Sequence, residues 1–239
     1  MHRSTSNNWS RRRLMAAVAF TPVAAAAALP ARTSFAAGAD PATRISAETA
    51  RQRLIDGNRR YVAGRHLRID HSPRREATAP KQTPFAIILG CSDSRVPPEI
   101  LFDQGLGDLF TIRVAGNIAG DLAIGSMEYA VEHFAVPLIV VLGHERCGAV
   151  TATVTAVSSG VMPPPHLDSL VTAIRPAVDA SKTMQGDAVE NAIVTHVRRT
   201  VDALNASGPV LADAVGSGRL KIVGAEYHLA SGHVDFLDG

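Results

Sequence analysis

Two short stretches carry residue types that could do chemistry together. One is Gly90-Cys91-Ser92-Asp93-Ser94-Arg95-Val96-Pro97, the other Gly143-His144-Glu145-Arg146-Cys147-Gly148. Cys91 and Cys147 are the only two cysteines in the 239 residues. Thiolate, imidazole and carboxylate are the ligands zinc takes, four in closed sites and three plus water in catalytic ones. Cys91, His144 and Cys147 make a Cys2His set, with Asp93 as a possible fourth ligand. His144 and Cys147 are three residues apart, so one turn can bring both to one ion. Two other readings stay open on the residues alone. A disulfide accounts for both thiols, but not for His144, Asp93 and Arg95 beside them. A Cys–His nucleophilic pair leaves one thiol and the Asp93–Arg95 pair without a role. That pair could also be an ordinary surface ion pair of little worth.

Something must bring the two stretches together, and the residues before each say what. Phe85–Leu89 and Pro137–Leu142 are apolar runs of strand length. Apolar at successive positions, they predict strands buried on both faces. If Cys91, Asp93 and Arg95 continue an extended backbone, all three point to one side. Leu109–Val114 predicts a further strand. Pro97 and Pro98 predict the start of a short helix. Gly120–Phe134 predicts a longer one, with Ile124, Met127, Val131 and Phe134 at three- and four-residue steps. A helix is expected to start near Cys147, a surface loop over Ser158–Pro165, and two or three helices up to about Val215. Arg219–Tyr227 and His233–Leu237 read as strands joined by a turn at Ser231-Gly232. Ahead of all this, Ser46–Gly64 predicts a helix with Ser46 as N-cap, followed by a loop over His66–Lys81. Strands alternating with helices predict an α/β fold. Its central sheet is mainly parallel with an antiparallel edge strand, flanked by helices and preceded by an N-terminal helical arm.

The chain resembles the β-class carbonic anhydrases from about Leu54 to Leu237. Cys91-Ser92-Asp93-Ser94-Arg95 and Gly143-His144-Glu145-Arg146-Cys147-Gly148 carry the resemblance most specifically. Gly57-Asn58-Arg59-Arg60-Tyr61, Arg113-Val114-Ala115-Gly116-Asn117 and Ser126-Met127-Glu128-Tyr129-Ala130 support it. It implies one Zn2+ per subunit on Cys91, His144 and Cys147, and reversible hydration of carbon dioxide to bicarbonate and a proton by zinc-bound hydroxide. Zinc acidifies its bound water, an effect already established for the three-histidine carbonic anhydrases. Two thiolates cancel the ion's charge, so a less acidic water and activity favouring alkaline pH are expected here.

In some relatives the carboxylate corresponding to Asp93 either ligates zinc and closes the site or pairs with the arginine and leaves room for water. Asp93 and Arg95 are therefore the expected catalytic pair, and Asp93 also an intermittent ligand. Gln82, Phe110 and Tyr129 match the family's substrate pocket; plain core packing or a solvated loop are the duller roles for them. The N-terminal helix is implied to lie across a partner subunit, in a homodimer or higher homo-oligomer, with packing on its own domain as the alternative. Some relatives carry a tryptophan three residues before the first cysteine ligand, at a bicarbonate site that locks the enzyme off. Ile88 stands there in this chain, although Arg113, also associated with that site, is present. This points to the non-allosteric type. Two rival functions use the same residues: hydrolysis of carbonyl sulfide or carbon disulfide, and zinc binding without catalysis.

The first residues belong to something else. Ser10-Arg11-Arg12-Arg13-Leu14-Met15 precedes an alanine-rich apolar run, and Ser34-Phe35-Ala36 offers small residues for cleavage. The run is about 16 residues, with Pro22 inside it, against the ~20 needed to span a bilayer. Residues 1–36 are expected to be a twin-arginine signal peptide, 37–45 a linker and 46–239 the catalytic domain. The mature protein is then periplasmic or otherwise exported, through the twin-arginine machinery and without stable membrane insertion after cleavage. That route carries folded proteins, so a metal loaded first would protect both thiolates. The chain has 24 Lys and Arg against 22 Asp and Glu, and residues 1–36 hold five arginines and no acid, leaving 19 against 22, a net of −3. No basic stripe remains to suggest nucleic acid. Among nine histidines, only His144 follows a strand with a thiol three residues on. His196, beside Arg198 and Arg199, is expected on a solvated helix face.

Overall fold

A computed structural model describes residues 45–67 and 69–237. The expected signal peptide and most of the expected linker lie outside the described residues. Five strands form one sheet in the order β2-β1-β3-β4-β5. They are β1 (Ala86–Gly90), β2 (Leu109–Arg113), β3 (Leu138–His144), β4 (Lys221–Tyr227) and β5 (Val234–Leu237). The first four are mutually parallel, and β5 runs antiparallel to β4. Every residue of β1 and β3 is buried, as strands covered by helices on both faces must be. The α/β sheet with an antiparallel edge strand is thus the fold that the sequence pattern predicts.

The helices are α1 (Ala47–Val62), α2 (His71–Thr78), α3 (Pro98–Leu101), α4 (Asp121–Phe134), α5 (Gly148–Ser159), α6 (Leu167–Ser181), α7 (Ala188–Asn205) and α8 (Gly208–Gly216). One face of the sheet, with Ile88, Leu138, Val140 and Ala225, packs on α1 and α3. The other, with Ile87, Leu89, Ile139 and Val141, packs on α4, α7 and α8.

Two features refine the reading of the sequence. His66–Lys81 is not all loop, because α2 occupies its middle. The Asp70 side chain accepts from Ser72 N and caps it, and Pro73 falls in the first turn, where an N–H has no intrahelical partner to lose. The other is α1, which packs on its own chain. Ala50 and Leu54 are fully buried against that sheet face. A Cβ on Gly57 would fall 1.8 Å from Phe102 O, so only glycine allows this approach. Asn58 locks it: Nδ2 donates to Leu101 O and Gly232 O at 3.1 and 2.9 Å, and Oδ1 accepts from Val234 N at 3.0 Å. Ala50, Leu54 and Asn58 of α1 are thus buried on their own chain.

The order of strands sets the place of the chemistry. β1 lies between β2 and β3, so the chain leaves β1 to one side for β2 and returns on the other for β3. Such a reversal opens a crevice at the carboxyl ends of the strands. Gly90 is level with Leu142, so Cys91 and His144 emerge at that same edge.

Candidate metal centre

Cys91, His144 and Cys147 converge there. All three are buried, and their ligand atoms lie within 4.8 Å of one another. The two sulfurs are 4.0 Å apart. Both cysteines are free, and that separation is about twice a disulfide bond length. Two sulfurs ~2.3 Å from one tetrahedral ion would stand ~3.8 Å apart, so the spacing suits an ion between them. His144 is fixed in the matching orientation. Its Nδ1 donates to Glu145 O at 2.8 Å, and Nε2 is buried without a hydrogen-bond partner. A buried nitrogen lone pair with no donor is costly, and a cation at this point would satisfy it. The residues fit zinc on both geometry and donor type.

Local sequence explains the convergence. β3 runs on to His144 itself. Glu145 and Arg146 then turn the chain, with Arg146 at φ 53°, and Cys147 becomes the N-cap of α5. On the other side, Cys91 follows the last residue of β1. The backbone beyond it is not extended. Asp93 Oδ1 accepts from Arg95 N at 2.9 Å, an Asx turn, and Val96 N donates to Asp93 O. The turn folds Arg95 back onto Asp93, so the three side chains do not share a side by strand alternation.

Asp93 and Arg95 form a two-toothed fork: Nε donates to Oδ1 at 3.0 Å and Nη2 to Oδ2 at 2.7 Å. The Arg95 guanidinium holds the Asp93 carboxyl well below the usual carboxylate range, against a smaller opposing effect of burial. Asp93 is therefore a permanent acceptor at working pH. Its Oδ2 is 4.0 Å from His144 Nε2, beside the three-ligand group and turned to the arginine. The thiols are strongly unequal. The hydrogen bond with Cys147 lowers the pKa of Cys91, opposed by burial and aided by His144 and the amides of Gly116 and Asp93. Cys147 is pushed up by Cys91 beside it and by burial.

Several groups that shape this centre were not read from the sequence. Arg113 ties the loop down: Nε donates to Cys91 O at 2.9 Å, and Nη2 donates to Asp93 O. Gly116 N donates to Cys91 Sγ at 3.3 Å. Glu145, whose carbonyl orients His144, is held in turn by His228 Nδ1 at 3.0 Å and Leu229 N at 2.9 Å. Of these, Glu145 and the Arg113–Asn117 stretch carried a signal, through the resemblance. His228 is 83 residues from Glu145, and nothing local announces the pairing. His196 is not on a solvated face; it is buried, with Nε2 2.9 Å from Gly116 O. Its spacing from Ile193 and Thr200, both buried, was the available clue.

The expected pocket residues are only partly brought together. Phe110 and Tyr129 pack with Phe134, at centroid distances of 6.5, 6.2 and 5.6 Å. Gln82 is exposed. Phe110 is level with Ile87, four residues before Cys91, or roughly 13 Å along a strand. Ile88, at the tryptophan position of some relatives, is a fully buried core residue.

Comparison with known proteins gives the family. A family model described as carbonic anhydrase matches residues 86–234. A carbonic anhydrase of Mycolicibacterium smegmatis is 42% identical over 183 residues, covering 76% of this chain and 89% of that one. The solved β-carbonic anhydrase CcaA superposes with a TM-score of 0.62 at 28% identity, covering 79% of this chain and 95% of that one. One of two tetrameric β-carbonic anhydrases of Sordaria macrospora gives 0.61 at 26% identity, covering 70% and 88%.

Proposed function

The chain belongs to the β-class carbonic anhydrase family, and from that premise we propose that Cys91, His144 and Cys147 hold the zinc at which it reversibly hydrates carbon dioxide to bicarbonate and a proton. The observation that carries the site is the buried Cys91–His144–Cys147 triangle, with the unpartnered His144 Nε2 facing the two sulfurs. Zinc held by these three residues would supply Lewis acidity, lowering the pKa of water so that hydroxide is available near neutral pH to attack carbon dioxide. The chain's residues do the rest. Arg95 takes both oxygens of Asp93 and keeps the carboxylate ionised and off the metal. Asp93 faces the space in front of His144 and accepts a hydrogen bond there, orienting the attacking water. Arg113 fixes the backbone of Cys91 and Asp93, so ligand and acceptor keep their spacing.

Purified zinc-loaded protein should turn over carbon dioxide in a stopped-flow assay, faster toward alkaline pH and far faster than carbonyl sulfide or carbon disulfide on the same preparation. A reversed preference would make it a hydrolase of those sulfides. Zinc binding with no turnover of any of the three would remove the catalytic reading.

We infer two further properties. Gln82, Phe110 and Tyr129 serve the substrate pocket from a second copy of the chain. This is supported by the level of Phe110 on the sheet, by the 48% exposure of Tyr129 and 90% exposure of Leu122 on α4, and by the tetrameric relatives. Residues 1–36 act as a twin-arginine signal, supported by Arg11-Arg12-Arg13 ahead of the alanine-rich run. Changing Arg11 and Arg12 together to lysine should strand the precursor in the cytoplasm, whereas the parent should yield mature protein beginning near Ala37. Fractionation showing unchanged export of the double variant would contradict the signal.

A further inference from the structure

We propose that His196, 105 residues beyond Cys91 in the chain, is a positioning residue for the metal centre: it holds Gly116 so that the Gly116 N–H reaches Cys91 Sγ. The proposal rests on the zinc reading of the Cys91–His144–Cys147 group. His196 lies on α7 and is 6% exposed. Its Nε2 is 2.9 Å from Gly116 O. A carbonyl only accepts, so Nε2 carries the proton and donates. Burial holds the imidazole below its ordinary value and keeps it neutral. On its other side, Gly116 donates its N–H to Cys91 Sγ at 3.3 Å. One glycine is thus gripped at its carbonyl by His196 while its amide faces the ligand sulfur.

The grip has work to do because this backbone is not self-supporting. Gly116 sits at φ 71°, ψ 23° within the 3-10 turn Ala115–Asn117, a region open to glycine at little cost. A side chain could not lock it in place, since a Cβ would come 2.8 Å from Ile174 Cδ1 and 3.2 Å from Ala149 Cβ. The next residue, Asn117, is also at positive φ. An apolar residue at 196 would fill the space without holding the carbonyl, and would leave Gly116 O buried and unpaired, which is unfavourable. The two hydrogen bonds lie on different peptide units, so the effect is positional rather than a relay of charge. Its consequence is electronic at the sulfur. An N–H on a ligand thiolate draws charge from it and tunes the ion it binds.

The test uses the full-length protein with cobalt(II) in place of zinc, because the thiolate-to-cobalt absorption band reports charge on sulfur. His196→Phe should keep one metal per chain, shift that band to lower energy and weaken zinc about 10- to 100-fold in chelator competition, as loss of supporting contacts to metal ligands does. His196→Gln, whose amide can donate from nearly the same point, should return both toward the parent. If His196→Phe folds poorly by circular dichroism, His196→Asn, polar but a methylene short, should give the same shift. A folded Phe or Asn variant with the parent's band and zinc affinity would overturn the proposal, as would a Gln variant no better than Phe. A parent protein with no thiolate-to-cobalt band at all would overturn the zinc reading first, and this proposal with it.

Discussion

Replacing Cys147 with serine is expected to leave a folded protein with little zinc and at least about a thousandfold less activity. Cys91→Ser and His144→Ala should do the same. The scale follows from the metal's task. A Lewis-acid ion contributes several kcal/mol to the transition state, and about 4 kcal/mol is already a thousandfold. Each substitution removes one of the three converging ligand atoms. Folding should survive, because the sheet is held by core residues such as Ile87, Ile139 and Leu142, all fully buried, and the centre lies at its edge. Zinc content by elemental analysis and carbon dioxide hydration by stopped flow check this on one preparation. Full zinc occupancy after Cys147→Ser would show that another residue completes the site.

Arg95→Ala should behave in a different way, with zinc retained and activity down about a hundredfold or more. In the parent both Asp93 oxygens are engaged by Arg95. Without the guanidinium, the Arg95 backbone N–H still holds Oδ1, but Oδ2, 4.0 Å from His144 Nε2, is released and could turn to ligate a bound metal. The ligand count would rise, so the metal stays, but the place needed by water is taken. Asp93→Asn should also lose activity and keep zinc, for another reason. A neutral amide is a poor zinc ligand, so water stays, while the acceptor that orients it is weakened. A crystal structure of Arg95→Ala with water still on zinc and activity retained would remove the pair from the mechanism. Loss of zinc from both variants would make it scaffolding.

The chemistry was legible in the sequence because its parts are local. Apolar runs of strand length ended two residues before Cys91 and two before His144, and the His144–Cys147 spacing needed only one turn. The sheet followed from the same runs. What escaped the sequence depends on contacts between distant segments or on a side chain bonding its own backbone. Asp93 captures the Arg95 amide and breaks the expected extension, a choice decided by one hydrogen bond. The docking of α1 hinges on a missing Cβ at Gly57 and on Asn58 reaching Gly232, 174 residues away. His196 was misplaced because the arginines that follow it suggested water. Its own face of α7, with Ile193, Val197 and Thr200 buried, pointed inward.

The most direct test of the central claim is the zinc K-edge absorption spectrum of the purified protein in its active state. Two sulfur and one imidazole nitrogen scatterers, with a light-atom scatterer completing four-coordination, are the expected result, with the sulfurs at about 2.3 Å. A spectrum without sulfur in the first shell, or with a single sulfur, would contradict the assignment of Cys91, His144 and Cys147 as the zinc ligands.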